Sequence, residues 1–200
     1  MSKNRSIDFW YEFASPYSYL SAMRIEAEAA RHQIVVNWKP FLLGPIFRQL
    51  GYQDSPFNAQ PAKLQYMWRD MKRCCDAQGL AFKRPDPFPG NAVKAARIAI
   101  LGADQNWGAS FTKGVFEAYF GRGDDMACED VLRTILTAVA ADNIDDIWGL
   151  AFSDGNKARL RLQTEHASTL NIFGAPTFLR DQELFWGNDR LENALAFSPP

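Results

Sequence analysis

Residues 6–13 alternate, with Ile7, Phe9, Tyr11 and Phe13 on one side and Asp8, Trp10 and Glu12 on the other, the period of a β-strand with one apolar face. Ser15-Pro16 interrupts that pattern, and residues 17–31 are rich in Ala, Glu, Leu, Met and Arg with Leu20, Met23 and Ala27 at helical spacing. Residues 34–39 are β-branched and aromatic and stop at Pro40. The opening forty residues therefore predict a βαβ unit, for which a right-handed crossover is nearly obligatory.

The middle of the chain changes period. Residues 61–78, 90–103, 108–121 and 128–141 read as helices separated by Gly/Pro-rich loops such as 82–90 (FKRPDPFPG), with almost no strand signal. A further helix at 156–171 leads into the apolar run 172–179, a turn at Arg180-Asp181-Gln182, a second short strand at 183–187 and a terminal helix. The order βαβ, helical block, αββα is that of an α/β, thioredoxin-like fold whose sheet is assembled from both chain ends. Its expected parts are a thioredoxin-like domain from 1–40 and 152–200 and an all-helical insertion over 41–151. Neither an internal repeat nor a low-complexity tract interrupts this plan.

Composition narrows the classes. Two hundred residues, 47% of them hydrophobic, suffice for one filled core carrying an insertion. A net charge of −1 supplies no basic field for phosphates, which argues against nucleic acid. The first ten residues lack the apolar stretch of a secretory signal, and no uncharged apolar run approaches the length of a membrane span, so a soluble cytoplasmic protein is expected. Three cysteines, two of them adjacent at 74 and 75, form neither a disulfide framework nor a metal spacing. His32 and His166, the two histidines, read as solvated helix residues rather than ligands.

Candidate chemistry begins where the first strand meets its helix. Ser15 is a natural N-cap and Pro16 suits the first helical position. The same unpaired N–H groups and helix dipole favour an anion, including a thiolate, so cap and anion site are compatible readings. A serine-protease relay is not available, because no histidine is placed to take the Ser15 proton. Residues 174–178 (GAPTF) come next. A cis bond before Pro176 would turn the Ala175 backbone outward, ready to pair with an extended peptide. In the third piece, 185–191, Asp189 with Glu192 resembles a capping pair. A helix start bearing Asn188 and Asp189 could also hold an α-carboxylate and an α-ammonium, as the γ-glutamyl end of glutathione presents them.

The runs DFWYEFASPYSYL, WKPFLLGPIF, PAKLQYMWRDM, FPGNAVKAARI, FGAPTF and FWGNDRL resemble, in order and over nearly the whole chain, those of the 2-hydroxychromene-2-carboxylate isomerases. That family groups with kappa-class glutathione transferases and DsbA-like oxidoreductases. The resemblance implies glutathione as cofactor, with Ser15 as the catalytic serine beside its sulfur. It also implies that Ala175, preceding Pro176, pairs with the cysteinyl unit, and that Trp186, Gly187, Asn188 and Asp189 hold the γ-glutamyl group. Lys63 matches a position facing the glutathione or substrate pocket and Asn91 one near the substrate, a small aromatic carboxylate, and relatives are commonly homodimers. Arg84 is a second cation suited to that carboxylate, and of Tyr66, Trp68, Phe82, Phe88 and Trp107 one or two are expected to line a cleft. The chain departs from the family where Leu64 replaces a frequent Gly. It departs from redox relatives in having no sulfur at Ser15 or Ser18, so no dithiol can cycle. The rival readings are a kappa-type transferase that consumes glutathione and a non-catalytic thiol-peptide binder.

Overall fold

The computed structural model describes residues 5–52, 60–140 and 143–198. Its sheet has four strands, β1 (Ser6–Tyr11), β2 (Val35–Pro40), β3 (Thr177–Arg180) and β4 (Glu183–Trp186), in the spatial order β2-β1-β3-β4. β1 runs parallel to β2, with Phe9 opposite Trp38, and antiparallel to β3, with Phe9 opposite Phe178. The two strands from the C-terminal end thus complete a sheet that the N-terminal βαβ unit begins.

Helix α1 (Pro16–Arg31) links β1 to β2, and between β2 and β3 the described elements are all helical. They are α2 (Leu43–Gln49), α3 (Pro61–Gln78), α4 (Val93–Gly102), α5 (Gly108–Phe116), a π-helical extension (Glu117–Arg122), α6 (Glu129–Val139), α7 (Ile144–Ala151) and α8 (Asp154–Thr169). A 3-10 turn (Asn188–Arg190) and α9 (Leu191–Ala196) follow β4. Two of these, α2 and α7, go beyond the expected elements. α2 carries Gly44-Pro45, a pair that reads as a breaker, but Pro is tolerated in a first turn where its N–H would be unpaired. α7 is short and contains Gly149, yet the Asn143 side chain accepts from the Asp145 N–H at 3.0 Å and starts it.

Both faces of β1 are covered, which the alternating pattern did not indicate. Ile7, Phe9 and Tyr11 join a large core with Trp38, Phe111, Phe116 and Phe178, while Trp10 packs in a second cluster with Phe41, Leu43, Ile46, Ala167 and Ile172. Phe9 lies 5.5 Å from Phe178 and 5.2 Å from Trp38, and Phe13 lies 5.1 Å from Phe116. Each such fully buried ring contributes about 1.5–3 kcal/mol. This aromatic spine holds the C-terminal end of β1, and with it the start of α1, in a fixed place relative to the helical block.

Candidate active site

Ser15 stands at the N-cap of α1 with φ −84° and ψ 114°, the extended geometry an N-cap requires. Its Oγ accepts from the Ser18 N–H at 3.2 Å and donates to the Ala175 carbonyl at 2.8 Å, a bond between residues 160 positions apart. The Ala175–Pro176 peptide bond is cis. The hydroxyl proton expected to serve a sulfur is therefore directed at the Ala175 carbonyl, and a sulfur would have to compete for it. The Ala175 N–H has no acceptor among the described residues, which leaves a half-buried donor beside Ser15. Ser18, one turn on, is fully buried, and its Oγ also lacks a partner among the described residues.

The 186–189 segment is tied to the same place. The Gly187 N–H donates to the Pro176 carbonyl at 3.0 Å, and Gly187 has φ 112°, a conformation that favours glycine. A Cβ there would lie 2.6 Å from Asp189 Oδ1, and one at Gly174 would collide with Trp186 Nε1. The indole thus covers Gly174 closely. Trp186 is 52% exposed and Phe173 45% exposed, and their rings meet edge-on at 4.9 Å, forming an aromatic rim next to Ala175.

Asn188 is bonded to α1. Its Oδ1 accepts from the Ser21 hydroxyl at 3.0 Å, and its backbone carbonyl accepts from Arg24 Nη2 at 2.7 Å. Arg24 also pairs with Glu192. The Asn188 carbonyls face α1, leaving the amide NH2 as the side chain's contribution to a ligand. Asp189 is exposed, lies 3.4 Å from Arg190, and does not cap α9, whose N-cap is Arg190 without a side-chain bond. The expected Asp189 and Glu192 pair is replaced by the Arg24 clamp, because Arg24 on α1 reaches Glu192 across the fold.

Lys63 is exposed in the first turn of α3, and Asn91 is exposed, with its Oδ1 accepting from the Val93 N–H at 3.1 Å at the start of α4. α3 is joined to α1 by the bond from the Tyr17 hydroxyl to Asp70 at 2.9 Å. Burial and the Asp70 carboxylate both push the Tyr17 phenol upward. Of the aromatics proposed for a cleft, Trp107 and Trp68 are core, Phe82 and Phe88 are partly buried around Trp68, and Tyr66 is exposed. Arg84 is stacked over the Trp68 ring at 5.3 Å.

Two residues near Ser15 escaped sequence reasoning. Arg24 looked like one more charged helix residue. Glu12 looked like the polar face of a strand, but it is buried at 8% exposure, and its Oε2 accepts from the Ala14 N–H at 2.9 Å. Burial pushes its carboxyl from an ordinary 4.5 up to about 8, against the opposing pull of that N–H. A charged residue three positions before the cap, between aromatics that all proved buried, was the available signal.

Comparison with known proteins bears on the family and the fold. The DsbA-like thioredoxin domain family matches residues 6–196. The 2-hydroxychromene-2-carboxylate isomerase of Sphingobium xenophagum is 26% identical over 94% of this chain and 95% of its own. Glutathione S-transferase kappa 2 of Caenorhabditis elegans is 22% identical over 88% of this chain and 81% of its own. A solved structure of a 2-hydroxychromene-2-carboxylate isomerase superposes with a TM-score of 0.84 at 23% identity, covering 93% of this chain and 90% of that one.

Proposed function

Because this chain belongs to the DsbA-like thioredoxin domain family, we propose that it is a glutathione-dependent isomerase of 2-hydroxychromene-2-carboxylate or a similar intermediate of aromatic catabolism. The observation that carries the reading is the bond from Ser15 to the carbonyl preceding Pro176, where a hydroxyl replaces the sulfur of redox relatives. With serine also at 18, and cysteines only at 74, 75 and 128, disulfide exchange at this helix start has no dithiol.

The residues present fit glutathione. Among the described residues the Ala175 N–H supplies an unmatched donor for a peptide backbone, and Gly187, in a conformation only glycine takes easily, ties the 186–189 segment to the Pro176 carbonyl beside it. Asp189 offers a carboxylate for an ammonium, and the Asn188 amide offers donors for a carboxylate. When bound, glutathione would supply a thiolate nucleophile for the conjugated, ring-opened substrate. Ser15 turns its proton from the Ala175 carbonyl toward the sulfur, and the first-turn N–H groups of α1 favour negative charge there. The aromatic rim of Phe173 and Trp186 and the exposed Tyr66 offer surface for an aromatic acid, and Lys63 or Arg84 a cation for its carboxylate. Lys63 and Asn91 belong to this reading as substrate contacts, as do a cytoplasmic location, where thiols stay reduced, and a homodimer. No helix among the described residues is long and apolar enough to cross a membrane.

The test is a turnover assay with glutathione held far below substrate. Many chromene carboxylate molecules isomerised per glutathione support the reading. Loss of one glutathione per product, with chlorodinitrobenzene accepted equally well, would favour the kappa-type transferase instead. Binding of glutathione in calorimetry without turnover of either substrate would leave a thiol-peptide binder, and absence of binding would remove all three.

A further inference from the structure

The turn that precedes Ser15 carries a buried acid that the isomerisation above leaves unused. The Ser15 N–H donates to the Glu12 carbonyl at 3.0 Å, while the Glu12 carboxyl turns back onto the Ala14 N–H at 2.9 Å. A carboxyl held on the N–H of the preceding residue lies roughly 4–8 Å from Ser15. Tyr119 faces it from the π-helical segment after α5, its hydroxyl accepting from the Gly90 N–H at 2.7 Å and donating to the Pro87 carbonyl at 3.0 Å. Asp125 also acts on Tyr119, and among the described residues no Lys, Arg or His forms an ion pair with Glu12. No ion pair therefore offsets an ionised Glu12, and burial pushes its carboxyl up to about 8 against the Ala14 N–H that favours the charged form.

We propose that Glu12 is a positioning residue that decides whether an anionic sulfur is tolerated at Ser15: as a neutral acid it leaves that sulfur the sole negative charge at the start of α1, and as a carboxylate it opposes it. The inference rests on the reading of Ser15 as a glutathione site and adds the control of its ionisation. Below the Glu12 pKa the docked thiolate meets a neutral neighbour. Above it, two anions at this separation in a poorly hydrated turn disfavour each other by about tenfold. Reciprocity requires that a docked thiolate raise the Glu12 pKa by the same factor, about one pH unit.

Glu12→Gln keeps an acceptor for the Ala14 N–H and removes the charge. Dissociation constants of glutathione and of S-methylglutathione, which has no proton on sulfur, are to be measured for both proteins at about pH 6 and about pH 9.5. The preference for the free thiol should agree within about twofold at the lower pH and be about tenfold greater in Glu12→Gln at the higher. Should Glu12→Gln not fold, carbon-13 spectra of the wild-type Glu12 carboxyl replace it. Saturating glutathione should then raise its titration midpoint, and S-methylglutathione should not. Equal preferences, or equal midpoints, overturn the role of Glu12 while leaving the glutathione site standing. Failure of the wild type to bind either compound overturns the site and this inference together.

Discussion

The two ends of the sheet make opposite kinds of surface. At the end where β1 passes into α1, Ser15, Ala175, Pro176 and Gly187 are cross-bonded at 2.8–3.0 Å, yet the Ala175 N–H has no partner among the described residues. At the other end, where β1 starts and β3 stops, a cleft of about 670 Å3 is lined by Arg5, Asp8, His32, Arg180 and Asp181. Two of its polar groups are committed. Arg180 is buried and donates to the Leu195 carbonyl at 3.0 Å, closing the last turn of α9, and Asp8 accepts from Asn37 at 2.8 Å. Volume alone is thus a poor guide to chemistry in this fold. A site for an extended peptide needs backbone groups held rigidly and left unpaired, and only the Ser15 end of this pair provides them.

The contrast can be broken at either end. Ser15→Ala should have the largest effect, lowering isomerase turnover about 10²-fold by removing the donor to the sulfur, and stability by about 1 kcal/mol by removing the cap. Steady-state kinetics and denaturant titration separate the two losses, and unchanged turnover would move the chemistry elsewhere. Gly187→Ala, at φ 112° and with its new methyl 2.6 Å from Asp189 Oδ1, should weaken glutathione binding about tenfold and cost about 1–3 kcal/mol of stability. Retained affinity would show that the 186–189 segment does not hold the ligand. Arg5→Ala, in the large cleft, should leave affinity and turnover within about twofold of wild type. A tenfold loss there would mean that the two ends are not functionally separate.

What was legible in the chain was local. The strand alternation through residues 6–11, the Ser15 cap and the tight turn between β3 and β4 depend on groups within four residues of one another. The turn is closed by Asp181 and Gln182 at φ 48° and 74°, a conformation their short loop demands. α2 and α7 were less legible because Gly and Pro inside them outweighed weak helical signals. Periodicity and breakers supplied the order of elements, and the likeness of whole runs to a known family supplied the grouping of Ser15 with 175–176 and 186–189.

By itself, then, the sequence determined the period of each major element, the residue types at the start of α1 and the absence of sulfur there. The tertiary structure alone decided that the Ser15 proton points at Ala175, that Arg24 and Ser21 claim Asn188, and that Glu12 lies buried. The physical reason is range. Capping and alternation are settled by neighbours along the chain, whereas a carboxyl's burial and the partner of a hydroxyl depend on segments that only folding brings together.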